Sequence, residues 1–147
     1  MAHALTIDPA TGALDLAGLT RLVPGSGRAE AEAALAAFAS GGRDFGNGYA
    51  WLYFDGFEFG GESCSLGLCY FEGRLTMAMW GVLLPGASTG DWPSPEECEA
   101  EVAFVRAELR RQLDRSFAGG EERFPWGAAY SLYDPKGGSA SSGVRYS

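Results

Sequence analysis

Residues 49–84 hold three apolar runs: Tyr49-Ala-Trp-Leu-Tyr-Phe54, Ser65-Leu-Gly-Leu-Cys-Tyr-Phe71 and Arg74-Leu-Thr-Met-Ala-Met-Trp-Gly-Val-Leu-Leu84. Aromatic and aliphatic residues in runs of this length suit a pleated, half-buried surface. Glu72-Gly73 joins the second run to the third, and a two-residue link ending in glycine fits a tight hairpin. The link from Asp55 to Glu62 is longer and carries Gly56, Gly60 and Gly61. The pattern predicts a three-stranded antiparallel meander at the centre of a sheet. Along it Tyr49, Trp51 and Tyr53 alternate with Ala50, Leu52 and Phe54, and Leu75, Met77 and Met79 alternate with Thr76, Ala78 and Trp80. Both faces are therefore apolar, where a sheet covered on one side normally turns polar residues outward. Two explanations stay open. Either a strongly curved sheet wraps its own ends and loops over the second face, or that face meets a partner or a second copy.

Outward from the meander, Arg28 to Ser40 is alanine-rich, with Leu35 and Phe38 on one stripe. This predicts a helix capped by Ser26 and stopped by Gly41-Gly42. Ser94-Pro-Glu-Glu97 is a capping box with proline in the first turn. Cys98, Val102, Val105, Leu109 and Leu113 follow at helical spacing, then Phe117 and a stop at Gly119-Gly120. Acids lead that helix (Glu96, Glu97, Glu99, Glu101) and arginines close it (Arg106, Arg110, Arg111, Arg115), which complements the helix dipole. Pro85 to Pro93 reads as a loop with Gly86, Gly90, Asp91 and an exposed Trp92. Leu5 to Asp8 reads as a short strand, and Leu14 to Val23 as a strand pair or an irregular docking segment. Trp126 to Tyr133 and Ser142 to Tyr146 form a hairpin on one edge of the sheet. The whole chain, residues 1–147, is expected to be a single α+β domain: an antiparallel sheet of about five strands with two helices packed on one face.

Composition limits the chemistry. The 147 residues are 46% hydrophobic and 20% charged, an ordinary globular balance, with a net charge of −8. A pI near 4.6 argues against nucleic acid as a partner, since phosphates repel an acidic surface. It could attract a basic protein partner, or serve only to keep the protein in solution. No apolar stretch is long enough to span a bilayer, and the first residues lack a secretory pattern, so a cytoplasmic location and no membrane partner are expected. Cys64, Cys69 and Cys98 are read as reduced core thiols. The five-residue spacing of the first two places them on opposite strand faces. The single histidine, His3, sits near the start of the chain, and the single lysine, Lys136, in a turn. Histidine-based triads, a Schiff-base lysine and a zinc site have no residues to build them, so no catalytic residue, metal or cofactor is expected. Asp55, Glu58 and Glu62, around one link, could pair as a glycosidase does. Trp92, Trp51 and Phe57 could form a sugar platform.

Three further stretches carry a family likeness. Phe124-Pro-Trp-Gly127, Ser131-Leu-Tyr-Asp134 with Lys136 in the following turn, and a closing strand ending in Tyr146 resemble the end of small bacterial immunity-type proteins encoded beside polymorphic or contact-dependent toxins. Gly60-Gly61 followed by Phe71-Glu-Gly-Arg-Leu75 matches the middle of that pattern, so the likeness spans Tyr49 to Tyr146. The resemblance implies a non-enzymatic protein that neutralises a cognate toxin by covering its active site. Acids on loops would meet a basic cleft, with Asp44, Asp55, Glu58, Glu62 and Glu72 as candidates and Trp92 as an aromatic anchor. Two alternatives stand beside it: a small-ligand or carbohydrate-binding domain using the aromatic sheet face, and a homo-oligomeric structural protein, a homodimer in its simplest form.

Overall fold

The computed structural model describes residues 2–87 and 92–147, so the Gly90 and Asp91 of the expected loop lie outside the described residues. Three short strands come first: β1 (His3–Ile7), β2 (Leu14–Leu16) and β3 (Thr20–Leu22). Helix α1 (Arg28–Ala34) runs through a 3-10 turn into β4 (Ala39–Asp44). The long meander is β5 (Tyr49–Phe59), β6 (Glu62–Phe71) and β7 (Arg74–Val82). Helix α2 (Pro95–Leu113) precedes β8 (Glu121–Phe124), β9 (Gly127–Asp134) and β10 (Ser139–Tyr146).

All ten strands join one sheet in the order β3-β2-β1-β5-β6-β7-β10-β9-β8, with β4 also paired to β5. The sheet is mixed, because β1 runs parallel to β5. This overturns the expected antiparallel sheet of about five strands with two helices on one face. The meander and the C-terminal hairpin are present, and β10 adds the hairpin to β7. The extra strands come from segments with little periodic signal. β2 and β3 have three residues each, β4 reads Ala-Ser-Gly-Gly-Arg-Asp, and β8 reads Glu-Glu-Arg-Phe. Strand pairing in such segments is imposed by an available edge rather than by local preference.

The alanine run shows that override most clearly. The expected helix to Ser40 stops at Ala34, and Gly41-Gly42 lies inside β4 instead of ending a helix. The first half of β5 needs an edge partner, and β4 supplies it from Ala39↔Phe54 to Asp44↔Ala50. The second half of β5 pairs with β1. Between the halves the ladder slips at Asp55-Gly56, and Gly56 has φ 102, with Phe38 packed where a side chain would go. The expected Ser26 cap does not form. Gly27 is the cap residue, without a side-chain bond, and the buried Ser26 hydroxyl has no partner among the described residues.

The meander's two links are both tight turns. β5 continues through Asp55 and Glu58 to Phe59, so the long link expected from Asp55 to Glu62 shrinks to Gly60-Gly61 (φ 61 and 86). At the other hairpin Glu72 and Gly73 have φ 49 and 80, the double left-handed geometry that favours Asn-Gly. Glu72 adopts it at a steric cost that asparagine tolerates better. Glu72→Asn should therefore raise stability by about 0.5–1 kcal/mol. A chemical-denaturation midpoint that stays still or falls would contradict this.

Helix α2 keeps the expected capping box, with Ser94 Oγ accepting from Glu97 N and Glu97 Oε1 accepting from Ser94 N. Cys98, Val102, Val105, Leu109 and Leu113 are buried as the spacing predicts. The helix ends at Leu113, short of Gly119-Gly120, because Asp114 takes the left-handed cap (φ 55). Phe117 then enters the core from the turn rather than the helix. The sheet coils around α2 until its two ends meet. The indole of Trp126 donates to Pro9 O (3.0 Å), and the Tyr146 hydroxyl donates to Gly12 O (2.6 Å). Gln112 on α2 accepts from Ile7 N (2.8 Å), which ties the helix to β1.

Glu108 holds that last link in place. It is nearly buried, accepts from Arg111 Nε (2.7 Å) and accepts from Gln112 Nε2 (2.7 Å). The Arg111 guanidinium keeps its carboxyl below the usual range, helped by Gln112 and opposed by burial. A lowered folded pKa gives stability that is present above the ordinary value of 4.5 and is lost as pH falls through the folded value. Glu101 has the opposite sign, since burial raises it despite the bond from Val82 N. Glu108→Gln isolates the first effect. It should cost about 1–2 kcal/mol at pH 7 and much less near pH 3, as read by urea titrations at both. An equal loss at both would contradict this assignment.

Candidate recognition surface

Among the described residues, the side of the sheet away from α2 is open. On β5 the core side chains are Ala50, Leu52 and Phe54 and, beyond the slip, Phe57 and Phe59. Tyr49, Trp51, Tyr53 and Glu58 point the other way by strand alternation. Cross-strand partners extend this face: Tyr53 lies opposite Gly67, and Gly67 opposite Met79. Trp51 lies opposite Cys69, and Cys69 opposite Met77. An extra residue at Thr76 resets the alternation on β7, so Leu75 joins the core with Tyr70 while Met77 and Met79 face outward.

The Trp51 and Tyr53 rings are parallel within 5°, with centroids 6.1 Å apart. They lean over Gly67, where even a methyl group would press on both rings at 3.3–3.4 Å. Beside them, across Ser65, Gly81 and Met79, lies a depression of about 350 Å³. A second hollow of about 330 Å³ shares Ser65 and Gly81 and runs to Asp55, Ser63 and Leu83. The result is a continuous groove, aromatic at one end and acidic at the other, with a floor of glycine and serine. Tyr49 and Phe71, ring centroids 4.6 Å apart, prolong the aromatic end. Tyr49, Tyr53, Phe71 and Leu83 are half of the eight large apolar side chains exposed among the described residues. Such clustering on one face exceeds the scatter of single exposed side chains.

The six candidate residues separate. Asp55 borders the groove, and Glu58 sits across from Ser63 on the same face. Glu62 shares the α2 side with Cys64 and Leu66, so it does not complete a facing carboxylate set with the other two. Asp44 lies opposite Ala50 on that same side, with its carboxylate 3.8 Å from Arg28. Glu72 occupies the turn at the far end of β6, and Trp92, 84% exposed, precedes α2. The sugar platform of Trp92, Trp51 and Phe57 does not assemble, since Phe57 is buried on the α2 side. Trp51 and Tyr53 were legible as an alternating pair. Gly67, Gly81 and Ser65, which make the groove, carry no signal in one sequence, because a floor is defined by what stands around it.

Charge is uneven across the molecule. Arg21, Arg28, Arg111, Arg115, Arg123 and Arg145 each lie within 4 Å of a carboxylate. Asp55 and Glu58 have no such arginine among the described residues. Two cations on the open face have other partners: Arg43 lies over Phe45, and Arg145 is bound to Glu121 and lies over Tyr130. Nucleophilic chemistry has weak tools nearby. Burial, aided by the Glu58 carboxylate, pushes the Cys64 thiol up to about 12, far from a reactive thiolate. The His3 Nδ1 is engaged with Ala17 O at 2.6 Å.

Fold and site together define a mostly β chain, a mixed ten-stranded sheet with two helices, whose coiled sheet presents an aromatic and acidic face. No family model matches the sequence, and no curated protein matches it. Among solved structures, a chain of "Rhs1-CT in complex with cognate immunity protein RhsI1" shares the fold, with a TM-score of 0.55 over 97% of this chain and 86% of that one. Identity is 12%. The resemblance to immunity-type proteins is thus met at the level of fold.

Proposed function

We propose that this chain is a non-enzymatic binding module of the immunity type, which neutralises a bacterial toxin by associating with it. The open sheet face carries the reading. It gathers exposed aromatic rings and unneutralised carboxylates on a scaffold whose fold occurs in a toxin–immunity complex. An inhibitor needs a stable scaffold, a complementary surface and no chemistry of its own, and the open face supports that reading by offering a surface of aromatic rings and acids. The partner is a toxin domain with a basic substrate cleft, met in the cytoplasm where it would act.

The test is co-expression with the toxin domain encoded beside this chain's gene. Growth should be rescued, and the two chains should purify together in equal amounts. A toxin that remains lethal, with no complex at micromolar concentration, would sink the proposal.

A further inference from the structure

We infer that the toxin docks on the open sheet face, seating a basic segment in the groove between Tyr53 and Asp55. Arginine side chains would lie against Asp55 and Glu58, with an apolar side chain in the notch over Gly81 and Ser65. This rests on the toxin-neutralising role and adds to it the surface used and the chemistry of the segment bound.

Two observations choose the occupant. The first is charge: Asp55 and Glu58 lie on the same face beside the groove with no arginine within 4 Å among the described residues, so two carboxylates stand unneutralised next to one apolar hollow. A guanidinium arriving from outside supplies the missing bidentate partner. The second is shape. The parallel Trp51 and Tyr53 rings offer π faces that attract a cation, and the hollow beside them over Gly81 and Ser65 has room for a side chain. Aromatic rings that adjoin a charged border supply the residue types that dominate binding energy at interfaces. A second copy of this chain would bring the same acids to the groove and repel itself there.

Gly81 gives a sharp probe. It is exposed, a Cβ there would meet Ser65 Oγ at an ordinary 3.5 Å, and its backbone suits any residue. Gly81→Arg therefore fills the notch and adds a like charge without disturbing the core. The binding partner in the assay is the toxin domain encoded beside this chain's gene, titrated calorimetrically at low and high salt. Gly81→Arg and the double variant Asp55→Lys/Glu58→Lys should each raise Kd at least 100-fold. The double variant should also flatten the salt dependence. Glu99→Lys, on the exposed side of α2, should leave Kd within about twofold, and each variant should melt near the parent. Unchanged affinity in both groove variants, with the parent still bound tightly, would overturn the docking surface and leave the inhibitory role standing. A parent that does not bind would overturn both. Light scattering that shows a dimer, dispersed by Gly81→Arg, would assign the groove to a second copy instead.

Discussion

Phe57→Ala should destabilise the protein by roughly 3–5 kcal/mol, the range for removing a large buried aromatic side chain. Phe57 is 1% exposed and sits where three strands meet, opposite Cys64 on β6 and His3 on β1. Its ring packs on Phe38 at 5.2 Å, and Phe38 in turn fills the space beside Gly56. Truncation leaves a cavity at the slip in β5, which other side chains cannot close without moving β1 or the turn before β4. That slip is also what separates Asp55 on one side from Phe57 on the other. Under the proposed docking mode, weaker toxin binding should accompany the lost stability, through displacement of Asp55 and Glu58. Urea titration reads the first effect and calorimetry at low temperature the second. A loss below about 1 kcal/mol would show that the site collapses freely and that Phe57 is no keystone.

Gly143→Ala should cost about 3 kcal/mol, near the top of the usual range for forcing atoms into a filled space. Gly143 lies on β10 opposite Met79 of β7, and a Cβ there would overlap the Ala78 carbonyl oxygen. A carbonyl in a ladder cannot swing aside as a side-chain tip can. The strands must separate, and β7–β10 is the seam that joins the C-terminal hairpin and β8 to the rest of the sheet. Amide exchange should quicken along β10 and β9 before it quickens along β5 and β6. Uniform exchange with an unchanged unfolding midpoint would contradict the assignment. Met79 also borders the groove, so under the proposed docking mode the same variant should bind the toxin more weakly.

Neither effect could be foreseen from the residues alone. Phe57 stood next to an acid and a glycine in what read as a long link, and Gly143 as one small residue in a closing strand. Their importance depends on pairing partners remote in the chain. The same holds for the acids. Asp55, Glu58 and Glu62 fall within eight residues, yet the slip at Gly56 and the two-residue turn at Gly60-Gly61 send Glu62 to the opposite side of the sheet from the others.

What the sequence determined by itself was local and periodic. The meander, its Glu72-Gly73 hairpin, the capped helix from Pro95 and the burial of Cys98, Val102, Val105, Leu109 and Leu113 follow from alternation, turn chemistry and helical spacing. Each depends on residues a few positions apart. Tertiary structure decided the number of strands, the parallel β1–β5 pair, the conversion of the end of the alanine run into β4, and the side on which each candidate residue lies. Those outcomes turn on which strand edges remain open for a distant segment to pair with. A backbone amide facing an open edge gains more from a partner strand than an alanine gains from its own helix preference.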